Sequence, residues 1–295
     1  MKARERGFLL LSSHLGDPGR KPLTTAQLRV LADRSWQLDD AEPDRDLETR
    51  DLTALGYSLM EAERIVELLS QEDLLDHYLN RAKKMGCYPI TRVTEGYPLR
   101  LRRKLGLDSP GVLWAKGDLS ILQKPKIALV GSRELHDENA AFAQEVGRQA
   151  AMQGYALVSG NARGADKTAQ NACLSADGQV ISVVADSLAD HRERENVLFL
   201  SENAFDEEFT SQRAISRNRV IHALGEKTFV AQCSLCMGGT WDGTVKNLRW
   251  GWSDVFCFSD GSEAMSQLSQ IGASLIDAED LTDLHSLQPE QVKLF

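Results

Sequence analysis

The chain has 295 residues, 42% of them hydrophobic and 26% charged, which is the make-up of an ordinary water-soluble folded protein, long enough for one large core and a smaller second domain. No apolar run approaches the roughly 20 residues that span a bilayer, and Gly7 to Ser13 is too short and too polar in its continuation for a secretory signal, so a cytoplasmic protein with no membrane contact is expected. Five cysteines without regular spacing fit a reducing compartment, and a net charge of −9 opposes a nucleic-acid partner unless arginines and lysines are gathered in one groove.

Residues 1–86 read as a small helical domain. Thr24-x-x-Gln27 and Ser58-x-x-Glu61 have the capping-box pattern ahead of apolar residues at helical spacing, Leu28 and Leu31 after the first and Ala62, Ile65 and Leu69 after the second. A third helix is expected from Asp73 to Met85, with Gly86 ending it, and the acidic stretch Asp39 to Asp51, containing Pro43, reads as a loop. Nothing here supplies a reactive constellation; packing or dimerisation is the expected role.

Residues 87–285 read as a second domain, with 286–295 as a tail. Cys87 to Thr91 is a short strand, and Tyr97-Pro98 opens a helix carrying Arg100, Arg102, Arg103 and Lys104, either a solvated face or a patch that steers an anionic partner. Strands follow at Val112 to Ala115, Ile127 to Val130, Tyr155 to Val158, Val180 to Val184, Lys227 to Ala231 and Val255 to Phe258, with a terminal Ser274 to Ile276. Helices are expected at Glu138 to Gln153, Ala165 to Ala176, from Ser216 or Asn218 to Leu224, and Ser262 to Ile271. This alternation gives the α/β class: an extended Rossmann-like parallel sheet with helices on both faces, preceded by the helical domain.

Four turns at the strand ends carry the chemistry. Gly131-Ser132-Arg133 and Ser159-Gly160-Asn161-Ala162-Arg163-Gly164-Ala165-Asp166 each combine glycine, a hydroxyl and an arginine where backbone N–H groups come free, a combination suited to phosphate. Lys167 adds a cation, whereas Asp166 repels phosphate and is expected to cap backbone or orient Arg163. Arg217-Asn218-Arg219 is read as a helix start with two guanidinium groups beside free N–H groups, the alternative being ion pairs with Asp206-Glu207-Glu208. Gly239 and Thr240, within Met237-Gly238-Gly239-Thr240, form a further donor-rich turn. For the first two turns the alternative is that Gly131 and Gly160 simply turn the chain and leave Arg133 and Arg163 in solvent.

No catalytic residue and no metal site stand out. Cys233-x-x-Cys236 lacks a second Cys/His pair, His222 is read as packing, and Trp241, Trp250 and Trp252 are read as core or interface, with base stacking as the other possibility.

The three ordered motifs Gly131-Ser132-Arg133, Ser159-Gly160-x-Ala162-Arg163-Gly164-x-Asp166 and Arg217-Asn218-Arg219, with the lead-in Tyr97-Pro98, Pro110-x-Val112-Leu113 and Lys116-Gly117, resemble the DprA/Smf family of bacterial DNA-processing proteins over roughly residues 88 to 281. The resemblance implies a Rossmann-like domain that binds single-stranded DNA without a cofactor, forms a homodimer and helps load the RecA recombinase during DNA uptake. The chain departs from the family pattern at Asn161, usually aliphatic; at Asp186-Ser187-Leu188, where Gly-x-Asp and then Tyr-Pro are usual; and at Ala214-Ile215, where Phe-Pro is usual. It ends at Phe295 without the winged helix that many members append. A divergent branch is expected, with a role in uptake or in mobile-element or defence biology.

Two other functions use the same residues. One is a binder or sensor of a nucleotide-like small molecule in the same crevice. The other is an enzyme similar to the phosphoribohydrolases, but their pattern carries a glutamate soon after its glycines, and here Thr244-Val245-Lys246-Asn247 offers none, leaving Asp242 as the loop's carboxylate.

Overall fold

The computed structural model describes residues 1–36 and 46–289, and the chain divides into two compact units, Met1–Tyr97 and Pro98–Phe295. In the first unit, helices α1 (Ala3–Ser12), α2 (Thr25–Ser35), α3 (Thr49–Ala54), α4 (Leu59–Leu69) and α5 (Glu72–Lys84) precede a short strand, β1 (Tyr88–Thr91). Both capping boxes form. Gln27 N–H donates to Thr24 Oγ1 at 3.3 Å while Thr24 N–H donates to Gln27 Oε1 at 3.0 Å, and Ser58 and Glu61 repeat the exchange at 3.3 and 3.1 Å. The apolar faces meet around Leu23, Leu31, Leu52, Ala62, Ile65 and Leu68. Of the loop expected over Asp39 to Asp51, residues 39–45 lie outside the described residues, and its end is helical: Glu48 N–H donates to Asp51 Oδ2 at 2.8 Å, which starts α3 at Thr49.

The second unit runs α6 (Leu99–Leu105), β2 (Val112–Lys116), β3 (Lys126–Val130), α7 (Asp137–Met152), β4 (Ala156–Ser159), α8 (Ala165–Ser175), β5 (Gln179–Val183), β6 (Val197–Ser201), α9 (Ser211–Leu224), β7 (Lys227–Val230), α10 (Gly238–Trp250), β8 (Asp254–Phe258), α11 (Glu263–Gln270) and β9 (Ser274–Ile276). Its strands lie in the order β2-β6-β5-β4-β3-β7-β8-β9. All neighbours are parallel except β2, which pairs antiparallel with β6 through Trp114 and Ser201. Ile127, Ala128 and Leu129 in β3 and Leu157 and Val158 in β4 have no exposed surface. Such runs are apolar without alternation because helices cover both faces. Helix α7 packs on α8, and α9 on α10; right-handed crossovers set the two pairs on opposite faces.

Strand β6 was not expected. Its residues Val197 to Ser201 are all buried, but it follows β5 through a short turn and a charged loop rather than a helix, so the β-helix-β rhythm skips it.

The basic helix α6 has a structural use. Arg100 Nε donates to Gly225 O at 2.9 Å and its Nη2 to Trp252 O at 3.2 Å, while Lys104 Nζ donates to Gly251 O at 2.8 Å. Gly225 and Gly251 end α9 and α10, so both cations meet free helix carbonyls at the negative dipole ends. These contacts sit at the amino-terminal ends of β7 and β8, opposite to the glycine turns. We expect Arg100→Ala to lower stability by about 1–3 kcal/mol, through loss of charge-assisted bonds, and to leave ligand affinity within twofold; thermal unfolding and a binding titration check the two halves.

Candidate functional site

From β3 the chain winds outward through β4, β5 and β6 and then returns to place β7 on the other side of β3. The loops leaving β3 and β7 therefore diverge, and a crevice opens at the carboxyl ends of the strands. A cavity of about 420 Å³ occupies it, lined by Gly131, Ser132 and Arg133 after β3, Asp166 on α8, Arg217 and Asn218 on α9, and Gly239 and Thr240 on α10. A smaller cavity of about 160 Å³ shares Arg133, Ala162 and Arg217 with it and adds Gly160, Arg163, Asp186 and Phe209.

The turns are tied to one another. Ser132 N–H donates to Gln232 O at 2.9 Å, and Ala165 N–H donates to Ser132 O at 3.1 Å. Gly164 has φ of +75°, and a side chain there would strike the carbonyls of Ser132 and Arg133, so glycine serves both the left-handed backbone and the close approach. A side chain at Gly160 would overlap the Arg217 guanidinium. Thr240 Oγ1 donates to Gly131 O at 3.0 Å, and Asn218 Nδ2 donates to Gly239 O at 3.0 Å. Four segments distant in sequence are thus held in one geometry.

Two buried ionisable side chains lie beneath. Arg217 is 7% exposed; its Nη1 donates to Val183 O at 2.6 Å. Asp166, also 7% exposed, accepts the Ala162 N–H on Oδ2 at 3.0 Å. Burial pushes the Asp166 carboxyl upward, against the positive field of Arg217 and the N–H groups of Ala162 and Gly160. Asp166 therefore holds the loop around Ala162.

The expected helix start at Ser216 or Asn218 is corrected. Helix α9 begins at Ser211, capped by Thr210, whose Oγ1 accepts the Arg213 N–H at 3.1 Å. Thr210 lacks a Glu or Gln three residues on, so the capping-box signature is missing. Arg217 and Arg219 consequently lie inside the helix, with no free N–H groups beside them. Arg219 turns away to Glu202 at 2.7 Å, and Arg213 is the residue that pairs with Glu207.

Other expected residues are placed as follows. Ser159 is fully buried and its Oγ accepts from Gln170 Nε2 at 2.6 Å. Lys167 donates to Asn161 Oδ1, and burial lowers its pKa. Arg133 and Arg163 are exposed at the crevice, and among the described residues neither guanidinium makes a hydrogen bond or an ion pair. Helix α7 starts only at Asp137, whereas α8, with Asp166 in its first turn, and α10, at Gly238, Gly239 and Thr240, both begin at the crevice without a side-chain cap. Cys233 lines the cavity as a buried thiol, pushed up to about 12 by burial, and Cys236 is exposed; both are free. The tryptophans part ways: Trp252 is 9% exposed, against His222 at 6.4 Å, and Trp250 is 64% exposed. Asp242 pairs with Lys246 at 2.7 Å on α10 and does not line either cavity. Ile215, at one of the departures from the family pattern, and Met237, in the last glycine turn, line the larger cavity; Phe209, in the smaller one, was not expected, because no motif marks it in the sequence.

The family model described as DNA recombination-mediator protein A matches residues 89–283. The DNA processing protein DprA of Bacillus subtilis is 31% identical over 170 residues, which is 54% of this chain and 56% of that protein. DprA of Streptococcus pneumoniae is 31% identical over 186 residues, 57% of this chain and 64% of that protein; the matched segments thus cover less than two thirds of these relatives' length. Among solved structures, Streptococcus pneumoniae DprA superposes with a TM-score of 0.72 at 25% identity, over 95% of this chain and 98% of its own. A Helicobacter pylori DprA structure described for its single-stranded DNA binding mode shares the fold, with a TM-score of 0.55 at 21% identity over 66% of this chain and 94% of its own.

Proposed function

This chain belongs to the DprA/Smf family of DNA recombination-mediator proteins, and from that premise we propose that it binds single-stranded DNA in the crevice at the carboxyl ends of its strands. The observation that carries the reading is the pair of exposed guanidinium groups, Arg133 and Arg163, at two adjoining cavities that share Arg133 and the buried Arg217, the larger of which also holds the uncapped start of α10. Phosphates would meet Arg133 and Arg163 directly, with the α10 amides and the Ser132 hydroxyl completing the cradle. Arg217 contributes its field and the shape of Gly160. The relatives' role in DNA processing supports this, and the finer role, assisting recombination by loading RecA as a homodimer during DNA uptake or a related process, is part of the same proposal. In this reading the chain acts as a binding protein rather than as an enzyme, and Asp242, the loop's carboxylate, pairs with Lys246 and lines neither cavity, which weighs against the phosphoribohydrolase alternative.

The test is fluorescence anisotropy of a labelled mixed-sequence oligonucleotide at several salt concentrations. Arg133→Ala and Arg163→Ala are each expected to weaken binding roughly three- to tenfold and to reduce the salt slope by about 0.7 per lost phosphate contact. Binding by the folded chain that neither variant weakens contradicts the site. A nucleotide that binds where no oligonucleotide does would make the crevice, large enough at about 420 Å³, a small-molecule site.

A further inference from the structure

The smaller cavity contains a feature that a phosphate groove alone would exclude. Asp186, at the end of β5, places a carboxylate there beside Arg133, Arg163 and Arg217. Its Oδ1 accepts from His191 Nε2 at 2.9 Å, and that bond holds the carboxyl below its ordinary range. The group is therefore an anion at neutral pH, and its side chain is 51% exposed. His191 is itself fixed, stacked on Phe199 with ring centroids 4.8 Å apart. In the same cavity stands Phe209, 51% exposed, just before the Thr210 cap of α9.

A half-exposed phenyl ring and an ionised carboxylate in one cavity do not suit a phosphate: the first offers it no donor, the second repels it. Together they suit a nucleobase. The ring provides a flat apolar surface for stacking, and the carboxylate accepts a hydrogen bond from an amino group on the base edge. With Oδ1 held by His191, Oδ2 is the oxygen that has no side-chain donor. An exocyclic amine satisfies it, whereas thymine presents carbonyl oxygens on both sides of its one N–H. The adjacent guanidinium groups of Arg133 and Arg163 are positioned for the phosphate on the same nucleotide.

We propose that Phe209 and Asp186 form a base subsite of the crevice, which takes one unstacked base and favours those with an exocyclic amine, cytosine, adenine and guanine, over thymine. The inference rests on the single-stranded DNA reading above and deepens it. A duplex, with its bases paired and stacked, cannot fill the subsite, so selectivity for single strands follows from the same two residues.

The test is an anisotropy competition with oligo-dC, oligo-dT and oligo-dU of equal length at fixed salt, oligo-dU separating the effect of the thymine methyl. The unmodified chain is expected to bind oligo-dC about tenfold more tightly than oligo-dT or oligo-dU, a bidentate base contact being worth about 1–3 kcal/mol and this one lying at the lower end. Asp186→Ala should bring the three within about twofold of one another, with oligo-dT held as tightly as before or more so. Phe209→Ala should weaken oligo-dC and oligo-dT alike, by roughly tenfold, and keep their ratio. Equal affinities in the unmodified chain, or a ratio that survives Asp186→Ala, overturn the base subsite while leaving DNA binding in place. Failure of every oligonucleotide to bind overturns both readings together.

Discussion

Replacing Arg217 by methionine is expected to cost about 3 kcal/mol of folding stability and to lower the melting temperature by roughly 6–12 °C. The side chain is 7% exposed, and methionine fills its volume without the charge. Two groups lose their compensation. Val183 O loses the donor at 2.6 Å, an orphaned buried acceptor costing about 1–3 kcal/mol. Asp166 loses the strongest of the influences that favour its carboxylate form against burial. Adding Asp166→Asn should recover part of the loss, because the double variant no longer buries an uncompensated charge. The sign of the pH effect follows as well. With Arg217 gone, burial raises the Asp166 carboxyl further above its unfolded value, so the single variant should gain stability, relative to the unmodified chain, as pH falls toward that unfolded value. A melting temperature within 2 °C of the unmodified chain would show that the two charges are not coupled.

Acid sensitivity from His222 is the second large effect. The imidazole is fully buried, and burial depresses its pKa from 6.5 to about 3. Its local bonds explain why it resists a proton. Asn247 Oδ1 accepts the Ser253 N–H at 2.9 Å, which fixes the amide, so Asn247 Nδ2 is the donor to His222 Nδ1 at 3.1 Å. Nδ1 must remain an acceptor, and protonating it would set donor against donor. A base with a folded pKa below its unfolded value leaves the unfolded chain binding more protons. Stability is therefore complete above about pH 6.5 and declines as pH falls toward 3, by about 2 kcal/mol at pH 5 for this one group. His222→Gln is expected to be less stable at pH 7 but to have a flatter profile between pH 7 and 5, read by urea unfolding at each pH. An unchanged slope in that variant would assign the acid sensitivity elsewhere.

The α/β architecture was legible because its signals are local. Aliphatic runs such as Ile127 to Val130, each broken by a glycine turn, record a strand buried on both faces wherever they occur. The two capping boxes were legible for the same reason, since Thr24 and Ser58 each meet a partner three residues away. Strand β6 escaped because no helix introduces it, and the true start of α9 escaped because Thr210 caps alone. At the site, the glycine turns announced themselves, whereas the fates of the arginines did not. Nothing in Arg217-Asn218-Arg219 says that the first guanidinium is buried under Gly160 and that the second turns to Glu202, some seventeen residues upstream. Likewise Asp186 and Phe209 sit on different segments, and only the sheet order brings them to one cavity. Helix α6 reverses the lesson: its basic run has an obvious sequence signal, and two of its cations are used on the helix ends of α9 and α10.

The central claim is that nucleic acid meets the end of the sheet that carries the glycine turns. It is tested most directly by titrating one labelled single strand, at low and at moderate salt, against the unmodified chain, Arg133→Ala/Arg163→Ala and Arg102→Ala/Arg103→Ala. Arg102 and Arg103 are exposed on α6, so the two double variants remove equal charge from different ends. Tight, salt-sensitive binding is expected, falling by more than tenfold in the first variant and by less than threefold in the second. Equal losses in both, or a larger loss in the α6 variant, would contradict it.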